Sequence, residues 1–194
     1  MCGFSGLIDS KVWDCGTREK YYHSCENIIK VLSHRGPDDS GIFLGGRHVF
    51  VHTRLSIIDP GHGQQPFYSD DRKRSIVYNG ELYNQEYLRS LLMSDGVMLK
   101  TDCDTEILFR LLERYGRRCL DMIDGMFSFV YFDEDTGKAI AARDICGEKP
   151  LFYSLAGGRF AFSSELKGLK GLVPEFRKDR ESIVRYFTYQ YIPA

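Results

Sequence analysis

This sequence predicts an α+β fold, on three observations. Short β-type segments come in sets instead of alternating one by one with helices. Amphipathic helical segments lie between those sets. The second half holds two hairpins, one turning at Glu134-Asp135-Thr136-Gly137 and one at Ala156-Gly157-Gly158. Regular alternation of strand and helix would have indicated a parallel sheet instead.

In chain order, residues 3–8 read as a short apolar strand. From Thr17 onward, Tyr21, Tyr22, Cys25, Ile28, Ile29 and Leu32 fall three or four apart, the spacing of a helix with one apolar face. Gly36-Pro37 cannot continue that helix. Strands are expected at 41–44 and 48–53 around a Gly45-Gly46 turn. A loop punctuated by glycine and proline covers 60–66, and a strand at 75–78 runs into Asn79-Gly80. A second helix is expected at 85–93, with Tyr87, Leu88, Leu91 and Leu92 on its apolar face. A third is expected at 104–115, where Ile107, Leu108, Leu111, Leu112 and Tyr115 share a face and Gly116 suits the C-terminal cap. The hairpins pair 127–133 with 138–143 and 151–154 with 159–163. Helical spacing returns at 166–172 and 180–187. Without an internal repeat or boundary signal, one domain spans 1–194.

The 194 residues are 43% hydrophobic and 13% aromatic, enough for a substantial core, and the 27% that are charged nearly cancel to -1. Such a balance gives no footprint for nucleic acid or an anionic membrane surface. No apolar run nears the roughly 20 residues of a membrane span, and the opening residues lack the pattern of a signal peptide. A cytoplasmic location with reduced thiols is therefore expected. The six cysteines form no CxxC pair and no His pair has metal-ligand spacing, which argues against zinc. The last residues, Tyr189-Gln190-Tyr191-Ile192-Pro193-Ala194, keep aromatics in play and read as the way into another domain, from about 180 onward.

Chemistry centres on Met1-Cys2-Gly3-Phe4-Ser5-Gly6. Removal of Met1 would leave Cys2 with both a thiol and a free α-amine. That amine titrates at about 7.7–8.0 when unperturbed, which suits a base near neutral pH. The thiol is intrinsically nucleophilic, so one residue can supply nucleophile and base. A chance cysteine in a first strand is the plain alternative.

Other polar residues at strand ends and turns could serve such a nucleophile. Arg54 offers a planar fork suited to a carboxylate, or else a surface ion pair. Asn79-Gly80 is ordinarily a hairpin turn. The helical segment after it weakens that reading, and an Asn amide beside a Gly N–H could form an oxyanion hole. Asp102 and Asp104 both precede the third helix. One suffices as its N-cap, which leaves the other free to meet an ammonium group. A separate Cys103–His52 pair is a further arrangement to test.

Together these pieces resemble the glutaminase domain of class II glutamine amidotransferases, within the N-terminal-nucleophile hydrolases. The resemblance rests on Met1-Cys2-Gly3-Phe4, His34-Arg35-Gly36-Pro37-Asp38, Arg54-Leu55-Ser56-Ile57-Ile58-Asp59, Asn79-Gly80-Glu81 and Asp104. Asp124-Gly125-Met126-Phe127, Arg143-Asp144, Gly147-Glu148-Lys149-Pro150-Leu151-Phe152-Tyr153 and Ser163-Ser164-Glu165 extend it across the chain. The Arg-Leu-Ser-Ile and Tyr-Asn-Gly-Glu-Leu-Tyr-Asn wording is similar to the glutamine-hydrolysing asparagine synthetase branch. Cys146 stands where that family varies, and Phe152 where Tyr is also common.

The resemblance implies a four-layer α-β-β-α sandwich and hydrolysis of L-glutamine to glutamate and ammonia. It implies that Cys2 attacks the side-chain amide while its own α-amine relays the proton. Asn79 and Gly80 would hold the oxyanion, Arg54 the α-carboxylate, and Glu81 with Asp104 the α-ammonium. Main-chain groups of Leu55, Ser56, Ile57 and Ile58 would line the pocket. No metal or organic cofactor is implied for this half-reaction. ATP and Mg2+ would belong to a C-terminal synthetase domain, which would pass the ammonia to an activated carboxylate such as aspartate. The resemblance leaves other carboxylate acceptors, a homodimer and a non-catalytic module on this fold open.

Overall fold

The computed structural model describes residues 1–56, 63–173 and 175–193. In chain order the strands and α-helices are β1 (Gly3–Asp9), α1 (Cys15–Leu32), β2 (Asp39–Leu44), β3 (His48–Arg54), β4 (Phe67–Tyr68), β5 (Arg74–Leu82), α2 (Gln85–Ser94), α3 (Asp104–Tyr115), β6 (Gly125–Asp133), β7 (Lys138–Arg143), β8 (Phe152–Ala156), β9 (Arg159–Ser163) and α4 (Arg180–Tyr189).

All seven residues of β1 are buried, which a strand achieves only when both sheet faces are covered. It lies at the centre of a five-stranded sheet ordered β2-β3-β1-β9-β8, and a second sheet runs β4-β5-β6-β7. Every strand pairing within these sheets is antiparallel. Alternation along the strands then builds three apolar layers. On one face of the first sheet, Leu7, Val49, Val51 and Ala161 pack against Tyr21, Cys25, Ile28 and Leu32 of α1. On the other, Phe4, Ile8, Phe50 and Phe162 meet Val77, Val130 and Phe132 of the second sheet. The far face of that sheet, with Ile76, Tyr78, Phe129 and Tyr131, is covered by α2 and α3 through Leu88, Leu92, Ile107, Leu108 and Leu111. Each such side chain contributes about 1.5–3 kcal/mol when fully buried. The result is the expected α+β sandwich: helix, sheet, sheet, helices.

Several local expectations change. The first helix begins at Cys15 because the Asp14 carboxylate caps it, accepting from the Thr17 N–H at 2.7 Å. Asn79-Gly80 neither turns nor ends a strand. It lies inside β5, where Asn79 pairs with Ser128 and Gly80 with Phe127, so the sheet overrides the local turn preference. At the third helix neither aspartate caps: Cys103 occupies that position and Asp104 is the first helical residue. Gly116 ends that helix as expected, with φ +56°. Residues 166–172 yield only a single tight turn at Leu166–Leu169. The β8–β9 turn is Gly157-Gly158, since Ala156 still belongs to β8. The two-residue β4 gave no alternation to read. Among the described residues, no helix is long and apolar enough to cross a membrane.

Candidate active site

Sheet register brings the first candidate residues together. Gly3 pairs with Thr53 across the antiparallel β1–β3 ladder, so the start of one strand lies beside the end of the other. Cys2 thereby reaches Leu55: its Sγ lies 3.4 Å from the Leu55 N–H nitrogen, which donates to it, and 3.7 Å from the Leu55 carbonyl. The Cys2 carbonyl accepts a 3.0 Å hydrogen bond from Arg35 Nε, and Arg35 Nη1 bonds Glu165 at 3.1 Å. Glu165 also takes His34 and Lys167. Burial opposes its charge, but the hydrogen bonds from His34, Lys167 and Arg35 prevail and hold its carboxyl down at about 2. This cluster fixes the backbone from which the Cys2 thiol projects.

A cavity of about 120 Å³ opens at this end of the sandwich. The first sheet side gives it Cys2, Arg54 and Leu55. The second gives it Asn79, Gly80 and Glu81 from β5, with Asp104 from α3. Seven of the residues read from sequence thus share one cavity. Ser56 is turned elsewhere: its N–H donates to the Asp38 carboxylate at 2.8 Å, and it is absent from the lining. Ile57 and Ile58 lie outside the described residues.

Asn79 is 3% exposed, and its Nδ2 has no hydrogen-bond partner among the described residues. A buried donor left unpaired costs about 1–3 kcal/mol, so an incoming acceptor oxygen would be favoured there. Gly80 is required by close packing, because a Cβ would fall 2.4 Å from the Met126 carbonyl oxygen. Gly63 lies close to the site too, its Cβ position falling 2.2 Å from Arg54 Nη2, a side-chain tip that could shift. Asp104 is buried yet bonded: it accepts from the Tyr78 hydroxyl at 2.8 Å and from the Leu82 N–H at 3.4 Å. Burial pushes its carboxyl up, those hydrogen bonds pull it partly back, and the nearby Glu81 charge pushes it up again. Burial and the Asp104 carboxylate in turn raise the Tyr78 hydroxyl well above its ordinary value. A ligand ammonium beside Glu81 and Asp104 would relieve that pairing of like charges.

The Cys103–His52 arrangement is not formed. Cys103 lines the cavity, but His52 does not, and its Nε2 donates to the Tyr78 carbonyl at 3.2 Å. Burial drives the His52 imidazole down to about 3, which keeps it neutral.

Three further residues stand at the site with contacts or roles that the sequence did not assign. Arg35 stands in a motif that was visible, but its target, a main-chain carbonyl 33 positions away, was not. Gln65 ties β5 to α3, accepting from the Tyr78 N–H at 2.7 Å and donating to Thr105 Oγ1 at 3.2 Å. Lys149 lines the cavity from a loop with no periodicity to place it.

Residues 1–194 match the glutamine amidotransferase domain family. The chain is 44% identical over 143 residues to the glutamine-hydrolyzing asparagine synthetase of Triphysaria versicolor, an overlap covering 73% of this chain and 24% of that protein. It is 33% identical over 194 residues to glutamine-hydrolyzing asparagine synthetase 1 of Bacillus subtilis (strain 168), covering 100% of this chain and 30% of that protein. The chain therefore spans less than a third of the length of these curated relatives. In fold it is similar to the solved glutamine phosphoribosylpyrophosphate amidotransferase from B. subtilis, with a TM-score of 0.68 at 22% identity over 88% of this chain and 43% of that one. Sequence match, shared architecture and a cysteine-headed cavity lead to one conclusion: the chain belongs to the glutamine amidotransferase domain family.

Proposed function

We propose that this chain hydrolyses L-glutamine to L-glutamate and ammonia through a thioester on Cys2, once Met1 has been removed. The observation that carries the reading is the convergence of Cys2 with Arg54, Asn79, Gly80, Glu81 and Asp104 on one cavity. The Arg54 guanidinium pairs with the α-carboxylate, and Glu81 with Asp104 holds the α-ammonium. The side-chain amide is then directed at the sulfur.

The Cys2 α-amine takes the thiol proton as the sulfur bonds to the amide carbon. The carbonyl π pair moves onto oxygen, where Asn79 Nδ2 and the Gly80 N–H hold the oxyanion. As the oxyanion collapses, the C–N bond breaks and the α-ammonium returns its proton to the departing nitrogen, giving NH3 and the γ-glutamyl thioester. Water, deprotonated by the same amine, attacks that thioester. Glutamate leaves and the thiol is restored. These steps draw on no metal or organic cofactor.

The chain serves as the glutaminase portion of a longer protein of the asparagine synthetase type, with 180–194 leading into a synthetase domain. The length of the relatives supports this, as does α4, which buries no residue and exposes Val184 and Phe187. That domain would use ATP and Mg2+ to activate the carboxylate, aspartate or another, that receives the ammonia. A cytoplasmic location suits such chemistry.

Replacing the nucleophile tests the reading. Cys2→Ala, in a chain whose intact mass shows Met1 gone, is expected to abolish glutamate release while thermal unfolding stays cooperative. Unimpaired release by that variant would overturn the proposal.

A further inference from the structure

We infer that Lys149 is a charge-holding residue of the reacting centre, uncovered when Met1 departs. Three observations carry the inference, which rests on the proposed Cys2 chemistry. Lys149 is 7% exposed, and among the described residues no carboxylate pairs with its ammonium. Its Nζ donates instead to Met1 Sδ at 3.6 Å, a weak acceptor on the one residue that must leave before Cys2 can act. Lys149, Met1 and Cys2 line the same cavity. A buried ammonium without a counter-ion is costly, so its persistence on this wall calls for an anion that arrives later.

The charges around the cavity say which anion. Among its described lining residues, Arg54 and Lys149 are cationic and Glu81 and Asp104 anionic. Glutamine brings one carboxylate and one ammonium, which Arg54 and the two acids accommodate. Lys149 is then the remaining cation on the cavity that Cys2 also lines, where the thiolate and the oxyanion gain negative charge. Without it, the lining would carry a net negative charge and would oppose formation of the thiolate and of each tetrahedral oxyanion. With Met1 gone, the ammonium is opened to that space while the Lys149 N–H stays bonded to Asp144 at 3.0 Å, which anchors the backbone.

The test uses the chain freed of Met1, with alkylation of Cys2 read on the amino-terminal peptide by mass spectrometry. Iodoacetate and iodoacetamide deliver the same carbon, but only the first is anionic, so their rate ratio reports local positive charge. Lys149→Met is expected to lower that ratio about 3- to 10-fold. It should also lower kcat for glutamate release about 10- to 100-fold, with KM changed less than about threefold. Lys149→Arg should restore most of both. Lys149→Gln serves as the second neutral variant if the methionine variant does not fold. An unchanged ratio and kcat in a folded neutral variant would overturn the inference, as would an equal loss in Lys149→Arg. Either result, with activity still abolished by Cys2→Ala, would leave the glutaminase reading standing.

Discussion

Asn79 and Asp104 are both buried polar side chains on the same cavity, and they are in opposite states. Asp104, at the start of α3, already has its hydrogen bonds, from the Tyr78 hydroxyl and the Leu82 N–H. Asn79, in the middle of β5, has a side-chain amide with no acceptor among the described residues. The difference fits the task proposed for each. A group that binds a permanent charge can be held rigid by its own network. A donor aimed at charge that appears only during reaction gains most if it stays unpaired until then. Resting hydrogen bonding thus separates the two proposed tasks, recognition and stabilisation of the reacting oxygen.

Breaking the unpaired side should have the largest effect. Asn79→Ala is expected to lower kcat about 10²- to 10³-fold while changing KM little, since the amide contributes mainly after attack. Steady-state kinetics of glutamate release checks this, and a rise in KM at constant kcat would erase the distinction. The paired side should respond in the other parameter. Asp104→Asn is expected to raise KM about 10- to 100-fold, the value of one charged hydrogen bond, with kcat nearly kept.

Asp104 also carries a stability signature. Its folded carboxyl is raised by burial, so ionising it costs the folded state, and stability falls as pH rises through that raised value. Asp104→Asn removes this loss while keeping an acceptor for Tyr78. Its thermal midpoint at neutral pH should therefore equal or exceed that of the parent.

The smallest effect is expected behind the nucleophile. Glu165 is held down at about 2, so its contribution is fully present above its ordinary value near 4.5 and is lost as pH falls from there towards 2. Glu165→Gln should destabilise the chain by about 1–2 kcal/mol at pH 7. The difference from the parent should shrink at pH 3, as read by denaturant midpoints. A deficit independent of pH would mean that Glu165 matters only for packing.

Particular residues show how much was legible in the sequence. The third helix was legible to both ends, Asp104–Tyr115, because its apolar repeat is long and Gly116 stops it. The hairpin of β6 and β7 was legible from alternation and a four-residue turn. The strand expected at 75–78 stopped short at Asn79-Gly80 because turn preference is local, whereas the pairing of Gly80 with Phe127 spans 47 positions and is decided by the sheet. The cap of α3 was less legible, because Cys103 holds that position and the Asp104 carboxylate accepts from the Tyr78 hydroxyl, a partner 26 positions away. The principal candidates, from Cys2 to Asp104, were legible as motifs. The contacts of Arg35, Gln65 and Lys149 were not, since each depends on a partner distant in sequence.

The central claim is that the amine and thiol of one residue act together, so the decisive measurement is glutamate release by two preparations of the same chain. In one, intact mass shows Cys2 at the amino terminus; in the other, Met1 is retained and the Cys2 nitrogen is an amide. The account predicts turnover in the first and loss of at least about 10²-fold in the second, the lower range of a general base's contribution. Equal turnover in both would contradict it.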